Sequence, residues 1–230
     1  MIYKQFGKTG KKVSAVGFGG MRFDTKLSKE KNAELLQYAF DKGINYFDTA
    51  PDYCGDQSMD IFGIGLPRLP REKFYVTSKC MPTEVKNGRE ARKSVEKDLK
   101  RLKLDKIDFF HVWCIRHIDQ YRLAMKKGHQ YEALMKCKEE GLIDHILVST
   151  HLNGADTAEI ISNGEFDGVL LGVSAINFPY RWAGVEAAHE AGMGVVAMNP
   201  LGGGIIPRNE DRFRFLALKG ETPTEAALRF

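Results

Sequence analysis

Residues 43–53 read GINYFDTAPDY. Ile44, Tyr46 and Phe47 form an apolar run, which then delivers a carboxylate, Asp48, and a little later a phenol, Tyr53. A strand that ends on a carboxylate raises the question of where the other apolar runs put their polar residues. The same pattern recurs: FYVTSK ends at Lys79, HILVST at Ser149 and Thr150, and GVVAMN at Asn199. Asn177 closes the run that begins GVLLGVS. Each run is short and rich in β-branched or aromatic residues, and each is followed by a longer stretch with helical spacing. The predicted helices are 29–42, 57–66, 89–102, 131–140, 155–162, 182–191 and the segment TPTEAALRF. Gly141 and Gly192 mark two helix stops.

Alternating strands and helices predict a parallel sheet covered by helices. GVLLGVS is apolar throughout, as expected of a strand buried on both faces. Seven such strands follow an N-terminal hairpin read from IYKQF, GKTGKK and VSAVGF. Either an open doubly wound sheet or a barrel satisfies that order. In a barrel every strand points its C-terminal end at one mouth, whereas an open sheet needs polar ends only at its switch point. The many polar strand ends therefore predict a barrel. No G-x-G-x-x-G opens a helix, which argues against a Rossmann site.

The chain has 230 residues, 43% hydrophobic and 28% charged, so one domain spanning 1–230 is expected. A net charge of +4 with scattered basic residues points to neither nucleic acid nor membrane. No run is long and apolar enough for a membrane span, and MIYKQFGKTGKK has no apolar core of a signal peptide. Cys54, Cys80, Cys114 and Cys137 show no metal-binding spacing. A reducing cytoplasm is the expected compartment.

Asp48, Tyr53 and Lys79 each have a plain structural explanation: a turn, a half-buried loop aromatic, a solvated strand end. Together at one mouth they suit carbonyl reduction. A tyrosine titrates near pH 10, and a nearby ammonium lowers that value. Tyr53 is then a general acid, Lys79 tunes it, and Asp48 anchors Lys79. The loop Asn199–Gly204 (NPLGGG) fits a phosphate-binding turn, although glycine triplets also serve as connectors.

GFGGMR, GINYFDTAPDY, FYVTSK, SVEKDLKRLKLDKIDFF, GLIDHILVST, SAINFPY and GVVAMNPLGGG resemble the aldo-keto reductase family in order and spacing. VSTH and AMNPL resemble the branch that often carries a C-terminal ferredoxin-like iron–sulfur domain, whose cysteine motif is missing from these residues. The resemblance implies a (β/α)8 TIM barrel, its floor plugged by the hairpin, that reduces an aldehyde or ketone with NADP(H). No metal or cluster is expected on the residues present. Asp48, Tyr53 and Lys79 match three members of the family's catalytic tetrad. Ser149 and Thr150 match the pair that holds the nicotinamide amide. Met198 matches the residue against the nicotinamide ring, and Asn199, Pro200, Leu201, Gly202, Gly203 and Gly204 match the pyrophosphate loop. Gly20, Met21 and Arg22 match the first-strand turn near the ribose.

Three departures from the family pattern stand out. Trp113 occupies the position of the tetrad histidine, with His111 two residues earlier and His151 past strand five as substitutes. As a core residue, His111 is expected to be hydrogen-bonded and inert. Val173 falls where a glutamine usually contacts the nicotinamide amide, with Ser174 facing the other way. The chain stops within the expected seventh helix, a barrel truncated after about seven β/α units. NADPH over NADH then rests on family habit, and NAD(H) stays open. The altered tetrad also allows a second reading, a cofactor-binding or regulatory barrel with little turnover and a protein partner, as in the family's potassium-channel beta subunits.

Overall fold

The computed structural model describes residues 1–230. A hairpin comes first, β1 (Tyr3–Gln5) paired antiparallel with β2 (Lys12–Ser14). The barrel strands are β3 (Phe18–Gly19), β4 (Tyr46–Asp48), β5 (Tyr75–Cys80), β6 (Ile107–Ile115), β7 (Ile143–Thr150), β8 (Gly168–Gly172) and β9 (Gly194–Met198). They pair in chain order, all parallel, as one curled sheet of seven strands.

The helices are α1 (Lys29–Asp41), α2 (Ser58–Gly65), α3 (Gly88–Leu102), α4 (Ile118–Met125), α5 (Gln130–Glu139), α6 (Gly154–Ser162), α7 (Phe178–Glu190), α8 (Ile205–Arg208) and α9 (Pro223–Arg229). Their starts follow local chemistry. Ser28, Asn87 and Asn153 accept a main-chain N–H in the first turns of α1, α3 and α6, satisfying donors that a helix start leaves unpaired. Helix α4 departs from the sequence reading, which ran from β6 straight to α5. Gln120 Oε1 accepts from the Arg116 N–H at 2.7 Å, which closes this short helix's first turn.

Two apolar layers follow from strand alternation. Phe47, Val76, Phe110, Val148, Val169 and Leu171 face outward into the core beneath the helices. Tyr46, Phe109 and Leu147 face inward and meet Phe6 from the hairpin. The Phe6 and Phe109 rings lie 4.8 Å apart. The hairpin thus plugs the barrel floor, as the resemblance implied. Above that plug the inward positions turn polar: Asp48, Thr77, Lys79, His111 and Ser149. No helix is long and apolar enough to cross a membrane.

Candidate active site

Asp48 ends β4 and Lys79 stands near the end of β5. The Lys79 ammonium is fully buried and donates to both Asp48 carboxylate oxygens and to the Thr49 carbonyl, each at 2.7 Å. Thr77 Oγ1 donates to Asp48 Oδ1, also at 2.7 Å. Burial pushes the Asp48 carboxyl up, but Lys79, with His111 and the Thr77 hydrogen bond, more than offsets it and the net shift is downward. Burial pulls the Lys79 ammonium down, with Asp48 opposing. The result is an ion pair whose donors and acceptors are matched.

Tyr53 sits in the loop after β4. Its ring centroid is 5.1 Å from Lys79 Nζ. All three Lys79 protons are already engaged, so the ammonium meets the π-face of Tyr53 rather than its hydroxyl. Burial, then the Asp48 charge and Cys114, hold the phenol well above its ordinary value. This corrects the expectation that Lys79 lowers the Tyr53 pKa. Desolvation of the phenolate is the larger cause, and the Asp48 charge adds to it.

Trp113 lies edge-on to Tyr53, with ring centroids 5.8 Å apart. The β6–β7 register shifts between Val112 and Ile115, and Cys114 takes a left-handed φ of 61°. A bulge of this kind re-aims the side chains beside it. His111 pairs across the sheet with Lys79 and is fully buried. Neither of its ring nitrogens has a hydrogen-bond partner, against the expectation of a hydrogen-bonded core histidine. Burial, helped by Lys79, lowers it to about 3, so it is neutral. His151 is half-buried past β7, and burial with Arg116 and Arg181 lowers its pKa too.

Ser149 is buried and its Oγ has no partner. Thr150 differs: its hydroxyl donates to the Ile115 carbonyl at 3.3 Å and accepts from the Leu152 N–H at 3.0 Å. Only one of the expected pair therefore has a free hydroxyl. Val173 packs in the outward core, so it does not face the mouth. It keeps the outward phase of Val169 and Leu171, against the family pattern. Ser174 is buried and engages Asn177 Oδ1 through both its N–H and its hydroxyl.

Met198 ends β9, and the glycine loop follows it. Asn199, Gly202, Gly203 and Gly204 all adopt positive φ, from 57° to 92°. A Cβ on Gly203 would meet nothing within 4 Å, so its backbone is open to an approaching group. Pro200 is exposed and Leu201 partly buried in the same turn. On the opposite sheet edge Gly20, Met21 and Arg22 form a single 3-10 turn. Gly20 is buried, while Met21 and Arg22 are exposed. Cys54 Sγ reaches the Gly20 carbonyl at 3.3 Å and ties the Tyr53 loop to that turn.

The Aldo/keto reductase family profile matches residues 15–224. The chain belongs to the aldo/keto reductase family. It is 35% identical to L-galactose dehydrogenase of Arabidopsis thaliana over 148 residues, 60% of this chain and 45% of that protein. An aldo-keto reductase of Glycine max is 27% identical over 223 residues, 88% of this chain and 60% of its own length. The chain thus spans 45% and 60% of these two relatives. Among solved structures, the thermostable aldo-keto reductase Tm1743, in complex with the inhibitor epalrestat, superposes with a TM-score of 0.76 at 25% identity. That match covers 93% of this chain and 78% of the other. The seven-stranded curled sheet is the family's TIM-barrel architecture.

No group of three or more His, Cys, Asp or Glu side chains converges where a metal ion would be held. The residues do fit a nicotinamide dinucleotide. Ser149 offers a buried, unpaired hydroxyl, and the left-handed glycine turn offers exposed backbone.

Proposed function

We propose that this mouth reduces an aldehyde or ketone to an alcohol, using NADP(H) with Tyr53 as general acid. The observation that carries the reading is the juxtaposition of the Asp48–Lys79 pair, with its ammonium fully buried and its carboxylate partly so, with the Tyr53 ring. The dinucleotide, when bound, supplies the hydride that reaches the carbonyl carbon. Tyr53 supplies the proton to the carbonyl oxygen. Its phenol is held neutral, so the proton is present across the working range. As that proton leaves, negative charge develops beside Lys79, whose ammonium is fixed by Asp48 and Thr49. A preorganised charge of this kind stabilises the transition state without reorganisation.

Ser149 Oγ would hold the carboxamide. The Asn199–Gly204 turn would cradle the pyrophosphate, Met198 would line the nicotinamide ring, and Gly20, Met21 and Arg22 would border the ribose. NADPH is favoured over NADH by family habit.

Fluorescence titration of the protein with NADPH, with NADH in parallel, tests the cofactor part. Micromolar NADPH binding is expected, weakened by Ser149→Ala. Failure to bind either dinucleotide removes the proposal.

One observation favours a second reading, a dinucleotide-binding barrel with little turnover that serves a protein partner. Trp113 stands where the tetrad histidine is usual, and an indole N–H only donates and exchanges no proton at neutral pH. Trp113→His separates the two readings: a rise in kcat supports a weakened enzyme, and no turnover in either form supports the second.

A further inference from the structure

Arg181 lies in the first turn of α7, yet its guanidinium folds back over the strand ends. Nε donates to the Leu152 carbonyl at 3.2 Å, Nη1 to Gly172 at 3.1 Å and Nη2 to His151 at 3.2 Å. These carbonyls belong to the β7–α6 connection and the end of β8. A Cβ on Gly172 would meet Arg181 Nη1 at 3.6 Å and Met198 Cε at 3.9 Å. Val169 and Leu171 point outward, so that missing side chain points inward. The guanidinium therefore lies on the inner wall of the mouth, beside Met198.

Three of its five donor protons are engaged and two are free. Its partners are neutral carbonyls. Neither Arg181 nor Arg116 takes part in any ion pair of the molecule. Both arginines act on the half-buried His151 and help to hold it neutral. The one carboxylate at the strand ends here, Asp48, is already matched to Lys79. This sector of the mouth is a cationic rim with no acidic counterpart. A guanidinium held by neutral carbonyls keeps its full charge and its free donors, and its planar fork suits a carboxylate.

We infer that the mouth selects carbonyl substrates that carry a carboxylate, with Arg181 as its direct partner and Arg116 as the second cation of the rim. The inference rests on the reading of this mouth as a carbonyl-reducing site. It names a substrate class that the Asp48–Lys79–Tyr53 group does not by itself imply.

The test compares 4-carboxybenzaldehyde with its methyl ester. The ring and the aldehyde are shared, and the ester is the more electrophilic, so chemistry alone favours the ester. The expected result is kcat/KM about ten- to hundredfold higher for the acid, the range of a hydrogen bond to a charged group. The difference should lie in KM, and the acid-to-ester ratio should fall toward one in Arg116→Gln and in Arg181→Met. Arg116 is exposed, so its variant keeps the test valid if Arg181→Met fails to fold.

Calorimetric binding of 4-carboxybenzyl alcohol against its methyl ester, on protein saturated with NADP⁺, reads the same preference without turnover. Equal values for acid and ester, or a ratio unchanged in both variants, overturn the inference. Lost NADPH affinity in the variants with the ratio preserved assigns the arginines to the dinucleotide's phosphates and also overturns it. Failure of the wild type to bind dinucleotide is seen before any aldehyde is added, and it removes the underlying reading instead.

Discussion

Lys79 makes three hydrogen bonds, and all of them go to Asp48 and its neighbour Thr49. Removing one partner of a buried ion pair strands the other charge. Asp48→Asn should therefore lower stability by about 3–5 kcal/mol. The double variant Asp48→Asn/Lys79→Met should lose less than the sum of the two single changes, as urea unfolding would read. Additive losses would mean that the pair is not coupled.

A second buried acid acts differently. Asp98 on α3 accepts from Ser78 Oγ at 2.7 Å, and burial raises its carboxyl to about 7. In the unfolded chain the same group titrates near 3.9. A raised carboxyl prefers its neutral form when folded. Its contribution to stability is complete below pH ~4 and is lost as pH rises toward ~7. Asp98→Asn should flatten stability across that window and gain relative to wild type at pH 8. An unchanged slope by thermal melting would contradict this. The Asp48–Lys79 link was legible in the sequence, because both residues sit at strand ends that a barrel brings together. The raised Tyr53 phenol was not, because desolvation depends on packing that no motif records. Neither was the unpartnered state of His111.

At the scale of elements, the hairpin was readable from the Gly-Lys-Thr-Gly turn, and its place as the floor plug from the family resemblance. Phe6 is the residue that makes the plug, packing on Tyr46, Phe109 and Leu147. Phe6→Ala should cost about 3–5 kcal/mol. It lies at the opposite end of the barrel from the glycine loop, so NADPH affinity of the folded fraction should be unchanged. A large affinity loss would mean that the floor and the mouth are coupled. Helix α4 escaped the sequence reading because it buries only Tyr121 and Ala124, too few apolar positions to show a helical period. The bulge at Cys114 escaped because alternation is a rule about regular strand, and the β6–β7 register shifts there. Val173 instead keeps the outward phase of Val169 and Leu171, and its expected place at the mouth came from the family pattern rather than from the strand.

At the scale of the whole molecule, the strands β3 to β9 pair in chain order as one curled parallel sheet. The barrel itself was legible because polar residues recur at strand ends all along the chain. Its mouth joins residues from Gly20 to Gly204, and that joining is what the proposed chemistry needs.

The most direct test of the account is NADPH oxidation with 4-carboxybenzaldehyde and its methyl ester, wild type against Tyr53→Phe, with NADPH affinity measured in both. The account predicts turnover in the wild type and a loss of about a hundredfold or more in Tyr53→Phe, with NADPH affinity retained. Full turnover in Tyr53→Phe would contradict it.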